Sequence, residues 1–464
     1  MHPPNDPLDL TSAKTHHQEG NWAEAETAYK KALEQDPKNA EALALLGVLS
    51  CQLGKFDQGV GYLKKATLCD PESPTTYYNL GKALDGNGLL EDALVAYQSA
   101  AKIKDDYADA WNNIGDCLTR LGRNEESVEA YQKAVKLNPS SHVYFNLGNA
   151  LLEKGDLVQA SQRYQEALNL EPEFAEAALN LAIVFKRQGD FSVAKSWCSQ
   201  ALDICPDYVK GLNEMAILCN QTGESEEAIE LYKRVLSLEP DNSIAKHLLD
   251  SLLGNDSEKA SPSYVEELFD QYANRFETHL AESLQYKTPA TLHSMAKKNL
   301  SDDFRVSNML DLGCGTGLCG SLFKSHCEKL YGVDISTKMI QQAHGKEIYD
   351  ELKAQEIIEY LAQTETKFDL FVAADVFVYL GNLEPVFKAV SVVAKNGACF
   401  VFSTETTDKD FVLKLSGRFG HSKEYVETIA SKFHWTLEDV QSDILRVENA
   451  QNVSGNLFFF RWKS

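Results

Sequence analysis

The sequence predicts an α-solenoid followed by a doubly wound α/β domain, and three observations carry the prediction. Small and aromatic residues recur every 33 or 34 positions through the first half of the chain. A polar, turn-rich stretch, GNDSEKASPS at 254–263, then interrupts the pattern. Beyond it, short β-rich runs alternate with helical stretches, the order that a mainly parallel sheet covered on both faces requires. The expected organisation is a repeat array over 1–253, a connection over 254–263 and an α/β domain over 264–464.

The 464 residues are enough for two or three cores, since one core rarely grows beyond about 250–300 residues. The formal charge is −23, with most of the acidic surplus ahead of the connection. Such a surface repels phosphate backbones, and no basic stripe is interleaved with aromatics, so a nucleic-acid partner is not expected. No run approaches the roughly 18 apolar residues of a membrane span. The first ten residues, MHPPNDPLDL, have neither the basic nor the apolar region of a secretory signal. The ten cysteines are scattered without a C-x-x-C or another paired metal spacing. Reduced thiols, a cytoplasmic location and no metal site are the expectation.

Within the first half, Gly47, Gly81, Gly115 and Gly148 are separated by 34, 34 and 33 residues. Ala25, Ala93, Ala160, Ala194 and Ala228 mark a second position, and Tyr29, Tyr97, Tyr131, Tyr164 and Tyr232 a third. Pro37, Pro71, Pro139, Pro172, Pro206 and Pro240 end the units, with Asp105 once in place of proline. The pattern resembles the tetratricopeptide repeat (TPR), with seven units beginning near 6, 40, 74, 108, 141, 175 and 209 and a closing helix near 243–253. Small residues let two helices approach, the aromatic fills the groove, and proline stops the second helix. The resemblance implies a superhelix whose concave face is lined by the first helix of each pair.

Asn79, Asn113, Asn146 and Asn180 occupy one position in four consecutive units. Asparagine is a mediocre helix former, and its carboxamide both donates to and accepts from a peptide backbone. The row is similar to the asparagine ladder of the O-linked N-acetylglucosamine transferase family, which implies that the groove holds extended polypeptide. Repeat consensus on a solvated groove is the alternative.

The second half opens its chemistry at NMLDLGCGTGLCG, residues 308–320. Read from Gly315 it satisfies the G-x-G-x-x-G fingerprint of a dinucleotide turn, in which a helix N-terminus receives a pyrophosphate. Read from Asp311, with Gly313, Gly315 and Gly317 at every second position around Cys314, it resembles motif I of S-adenosylmethionine-dependent methyltransferases. In that reading Cys319 and Gly320 already belong to the next helix, and Asp311 lies near the donor's ammonium end. A second strand ends in Asp334, whose carboxylate suits two ribose hydroxyls but equally those of NAD, and Ile335 and Met339 are placed to flank adenine. Glu356, beside Gln355, is the best match for the acid of the third strand. The run from Phe368 to Gly381 looks like the fourth motif, with Asp375 beneath the transferable methyl.

Val265–Leu280, the Asp375–Gly381 run, Phe402–Glu405 and Ser416–Ser422 further resemble a bacterial-type family that fuses TPRs to a class I methyltransferase. The resemblance covers nearly the whole chain. It implies a Rossmann-like sheet ending in an antiparallel pair of strands, S-adenosylmethionine as cofactor, and a leading helix that closes over it. Tyr272 and Phe276 are then lid residues, or else ordinary core aromatics at i and i+4. Strands are expected near 308–312, 329–333, 369–374, 398–403, 443–447 and 456–462.

Methyl transfer from a sulfonium is an in-line displacement, so the protein chiefly aligns and dehydrates the reactants. A hydroxyl or carbon acid also needs a base. Asp375, Tyr379, Glu405, Arg418, His421 and Tyr425 are the candidate groups at the rim, with His421 as general base and Arg418 as grip for a carboxylate or phosphate; a packed or solvated segment is the alternative for all of them. The runs that methylate exocyclic amines or C5 of DNA bases are missing, while scattered carboxylates leave a metal-assisted O-methyl transfer open. Two functions remain: a methyltransferase whose repeats recruit a polypeptide substrate or carrier, and a repeat scaffold with a cofactor-binding but weakly active domain.

Overall fold

The structure, a computed structural model, describes residues 10–255, 257–273, 276, 286–448 and 451–463. The beginning of the first expected repeat, near residue 6, and most of 274–280 at the end of the leading helix lie outside the described residues. The chain forms two compact units, Met1–Ile204 and Cys205–Ser464.

The first unit is helical. Its helices come in pairs: Thr11–Gln18 with Trp22–Gln35, Ala40–Gln52 with Phe56–Cys69, Pro74–Gly86 with Leu90–Ile103, Ala108–Arg120 with Asn124–Leu137, Ser141–Lys154 with Leu157–Leu170, and Ala175–Gln188 with Phe191–Ile204. Gly155 at φ 87° and Gly189 at φ 85° show how the first helix of a pair stops. A left-handed residue there frees the chain to turn back, and glycine adopts it without strain. The recurring small residues have a steric cause. A Cβ on Gly81 would stand 2.5 Å from the Tyr97 ring, on Gly115 2.7 Å from Tyr131, and on Gly148 2.6 Å from Tyr164. Each tyrosine is buried directly on its partner's backbone, so glycine and aromatic form one device repeated along the array.

The second unit begins with the helices Val209–Gln221, Ser225–Leu238 and Ser243–Leu253 and continues through Pro262–Tyr272 and Thr288–Asn299 into a nine-stranded sheet. The strands are β1 (Val306–Leu312), β2 (Cys327–Asp334), β3 (Glu351–Ala354), β4 (Phe368–Ala373), β5 (Ala394–Thr406), β6 (Phe411–Leu413), β7 (Phe419–His421), β8 (Trp435–Glu448) and β9 (Gln451–Trp462). Strands β3, β2, β1, β4 and β5 run parallel in that order. Strand β9 lies antiparallel on β5, and β8 antiparallel on β9, so the two long final strands end the sheet as the sequence predicts. Three short strands add to those expected: β3, and the β6–β7 hairpin, which extends the tip of β5 at Glu405 and Thr406. Successive β5 residues bury opposite faces: Phe400 and Phe402 join Phe371, Phe458 and Trp435, while Val401 joins Met309, Leu370 and Phe459. A sheet buried on both faces needs such continuously apolar strands. The order reverses between β1 and β4, which opens a crevice at their carboxyl ends.

The compact division falls at 204/205 rather than at the 254–263 connection, and the contacts within the second unit explain it. The amides of Gly381 and Asn382 both donate to the Glu258 carbonyl at 2.8 Å, and the Ala260 amide donates to the Tyr379 carbonyl at 2.9 Å. His247 donates from Nε2 to the Gly417 carbonyl at 2.7 Å and stacks on Tyr264, while the Asn220 carboxamide donates to the Leu415 carbonyl at 3.0 Å. The last helical pair and the connection are thereby fastened to the sheet domain.

Candidate functional site

The loop after β1 is built from left-handed conformations that glycine adopts without strain. Gly313, Gly315 and Gly317 stand at φ 65°, 54° and 89°. The amides of Gly313 and Cys314 both donate to the Val333 carbonyl at the end of β2. A Cβ on Gly313 would lie 2.5 Å from Val376, directly after Asp375. The following helix begins at Leu318 with Gly317 as its N-cap, so Cys319 and Gly320 belong to it. Cys314 and Cys319 are buried thiols, pushed far above the ordinary range by burial, and act as small core residues.

Two acids meet this loop. Asp311 is buried and accepts a hydrogen bond from the Tyr349 hydroxyl at 2.7 Å. Burial pushes its carboxyl up to about 7; Tyr349 and the Gly320 amide oppose that rise, and the nearby Asp334 adds to it. Asp334 accepts from the Gly315 amide through one oxygen and the Ser336 amide through the other, both at 2.9 Å. Burial, again the largest influence, pushes it up to about 6. The Ile335 amide adds a third bond, and since a carboxylate has about four acceptor sites, acceptor capacity remains for an incoming hydroxyl. Ser336 caps the helix Thr337–His344, which carries the fully buried Met339, and Ile335 is half-buried between them. Glu356 serves its own helix, Ile357–Gln363, which one of its oxygens caps by accepting from the amides of Ile358 and Glu359 at 2.7 and 3.0 Å. The Gln355 amide donates to the Asp334 carbonyl, which keeps this turn beside the end of β2.

Past β4 the chain forms a charged cluster. Asp375 adopts a left-handed backbone at φ 55°. Ser403 holds it there, accepting from the Asp375 amide at 2.9 Å and donating to its carboxylate at 3.0 Å. The Arg446 guanidinium bridges Asp375, at 3.1 Å, and Glu405. Lys414 binds the other Glu405 oxygen at 2.9 Å, and Arg418 stands 4.0 Å from Glu405 and hydrogen-bonds Tyr379. Burial alone would raise the Glu405 carboxyl, but Arg446, Lys414 and Arg418 together bring it below the ordinary value. For Asp375 burial wins over Arg446 and Ser403, and the carboxyl is raised. Asp375, Tyr379, Glu405 and Arg418 are thus brought together. Arg446 organises them, and sequence reasoning did not find it.

His421 occupies a different place from the rim position expected of a general base. It is fully buried on β7, and its Nε2–H is shared between the carbonyls of Leu380 at 2.8 Å and Gly381 at 3.1 Å. Burial pushes it down to about 4, so the ring is neutral near pH 7, and its Nδ1 has no partner among the described residues. With Tyr425, whose hydroxyl accepts from the Leu383 amide at 2.9 Å, it braces the 380–383 loop from behind. The leading helix supplies an aromatic cover. Phe276 lies 3.7 Å from the Cβ position of Gly315 and packs edge-on against Tyr272 and Phe269, and Phe269 in turn packs on Tyr379. Packing as core and covering the loop are therefore one arrangement.

In the first unit the asparagine row is half-buried and internally bonded. Asn113 donates to the Tyr78 hydroxyl, Asn146 to Asn112 at 3.1 Å, and Asn180 to Asn149 at 2.8 Å. Asn112 and Asn149, close to ladder positions in the chain, make it a double row that the sequence count did not include. Asn79 is half-buried at the start of the same row.

A family model described as a methyltransferase domain matches residues 304–447. TPR models match 16–84, 74–107, 108–141, 148–189 and 173–239. The chain is therefore a TPR region fused to a methyltransferase-like domain of Rossmann-like α/β fold. The Tetratricopeptide repeat protein 8 of Caenorhabditis elegans is 25% identical over 169 residues, 36% of this chain and 27% of that protein. The Malonyl-[acyl-carrier protein] O-methyltransferase 2 of Ilyobacter polytropus is 28% identical over 125 residues, 25% of this chain and 46% of that protein. The Ubiquinone biosynthesis O-methyltransferase of Pelagibacter ubique is 24% identical over 133 residues, 26% of this chain and 55% of that protein. In each case this chain spans little more than half of the relative's length or less.

Proposed function

We propose that the α/β domain is an S-adenosylmethionine-dependent methyltransferase and that the TPR array recruits a polypeptide, either the methyl acceptor or its carrier. The observation that carries the reading is the bond from the Gly315 amide to Asp334, which joins three left-handed glycines to a strand-end acid at the switch point of the sheet. The cofactor, when bound, supplies a methyl group on a sulfonium. Asp334 binds the ribose hydroxyls, Ile335 and Met339 border the adenine, and Asp311 stands ready for the ammonium. Phe276 and Tyr272 exclude water above the glycines. On the acceptor side Arg446 and Ser403 fix Asp375 and Glu405, while Tyr379 and Arg418 orient the incoming group.

An amine or thiolate acceptor needs no further base, and the neutral, carbonyl-bound His421 supports an acceptor of that kind. The same observation favours a second reading, a scaffold whose domain binds donor but turns over little. Calorimetric titration of the purified chain with S-adenosylmethionine and with NAD tests the first reading; binding of NAD in preference would overturn it. Incubation of a cell extract with methyl-labelled donor, with and without the protein, separates turnover from scaffolding. The asparagine row supports peptide capture because the carboxamides of Asn113, Asn146 and Asn180 keep donor or acceptor capacity beyond their internal bonds. The cytoplasm is the proposed location.

A further inference from the structure

Asp270, on the helix Pro262–Tyr272, belongs neither to the glycine loop nor to the charged cluster, yet it touches the donor side of the site. Its Oδ1 accepts the Ser336 hydroxyl hydrogen at 2.6 Å and the Lys338 amide at 3.4 Å. The Ser336 hydroxyl in turn accepts from the Met339 amide at 3.1 Å, while its own amide donates to Asp334. The other Asp334 oxygen accepts from Gly315. An unbroken chain of hydrogen bonds thus runs from the leading helix, through the turn after β2, to the central glycine. Six residues beyond Asp270, Phe276 lies over that same glycine.

The chemistry of the residue sharpens the point. A second carboxylate beside Asp334 is repulsive, and its charge is among the influences that raise the Asp334 carboxyl. An asparagine would accept the same hydroxyl hydrogen without that repulsion, so docking of the helix alone does not call for an acid. A charged acceptor makes the stronger, shorter hydrogen bond. It also holds the Ser336 hydroxyl where it caps its helix, which fixes the turn whose Ser336 amide donates to Asp334.

We propose that Asp270 is a positioning residue of the donor site: by holding the Ser336 hydroxyl it sets Asp334 for the ribose hydroxyls and places Phe276 over Gly315, so that recognition of the ribose and covering of the loop depend on one side chain. The proposal rests on the donor reading above. It is tested with the full chain by calorimetry, using S-adenosylhomocysteine, 5′-methylthioadenosine and its 2′-deoxy counterpart as probes. Asp270→Ala is expected to weaken the first two by about tenfold, the worth of one charge-assisted hydrogen bond. Asp270→Asn, which keeps an acceptor without the charge, should recover only part of that loss, and Glu266→Ala, exposed on the same helix, should stay within about twofold of wild type. The 2′-deoxy probe should bind the wild type weakly and lose less with Asp270→Ala than the ribose probe does, because one of the two hydroxyl contacts through which the residue acts is already gone. Equal losses for the ribose and deoxyribose probes would reduce Asp270 to a merely structural role and overturn the proposal. Wild-type affinity in Asp270→Ala would overturn it while leaving the donor reading intact. If none of the probes binds the wild type, the donor reading falls as well.

Discussion

Asp311→Asn is expected to make the donor-free protein more stable at alkaline pH while weakening its hold on the donor. Burial raises the Asp311 carboxyl from 3.8 to about 7. At about 1.4 kcal/mol for each factor of ten in proton affinity, ionising it in the folded chain costs about 4 kcal/mol more than in the unfolded one. The sign follows from proton counting. Below pH 4 both states hold the proton and there is no penalty. As pH rises from 4 towards 7 the unfolded chain releases its proton first, so stability falls, and above 7 the full penalty persists. Asparagine accepts the same hydrogen bond from Tyr349 without ever ionising. The gain should approach about 4 kcal/mol at pH 8, a ceiling because Asp334 shares the repulsion, and shrink by about half or more at pH 5. Scanning calorimetry from pH 5 to 8 measures it, the relevant transition being the one that S-adenosylhomocysteine shifts; for a domain of this size about 2–4 °C corresponds to 1 kcal/mol. Affinity for that ligand should fall about tenfold or more, because the ammonium loses a charged partner. A variant whose pH profile of stability parallels the wild type would refute the reasoning.

Arg446→Met should destabilise the second unit by about 3–5 kcal/mol, since it leaves Asp375 and Glu405 buried without their shared cation; adding Glu405→Gln should recover part of the loss in the same melting experiment. Gly313→Ala places a methyl 2.5 Å from Val376 at a φ of 65°, and should weaken S-adenosylhomocysteine binding by about tenfold or more through strain in the loop. Gly115→Ala directs a methyl into the Tyr131 ring, and should cost about 1–3 kcal/mol in the repeat array, read as a lower midpoint in urea, with donor affinity unchanged. The double variant Asn113→Ala, Asn146→Ala should lose capture of partner polypeptide while retaining its donor affinity; unchanged capture would leave the ladder as repeat consensus.

What the sequence disclosed and what it concealed divide along one physical line. The repeats were legible because each unit restates the same local contact, a glycine backbone against a tyrosine ring, and the contact leaves its trace at a fixed spacing. Asp311 to Gly317 and Asp334 were legible because a strand that ends in an acid beside left-handed glycines is a local pattern. The residues that organise the site were hidden because they act across the fold. Tyr349 reaches Asp311 from 38 positions away, and Asp270 reaches Ser336 from 66. Arg446 shows the mechanism most directly. Simple alternation along β8 puts exposed Ile444 outside, Leu445 inside and Arg446 outside again. The pairing of β8 with β9 shifts register between Ile444 and Arg446, and both Leu445 and Arg446 are buried. Such a bulge re-aims the side chain that follows it, and here it turns a guanidinium inward onto Asp375, 71 positions earlier in the chain. His421 is the converse case. A histidine among polar residues reads as a rim base, but the three-residue strand that carries it pairs with the tip of β5 and draws the ring beneath the 380–383 loop. A site assembled from strand ends can thus be located from its local motifs, whereas the charges that govern it are set by register, which no single segment of sequence records.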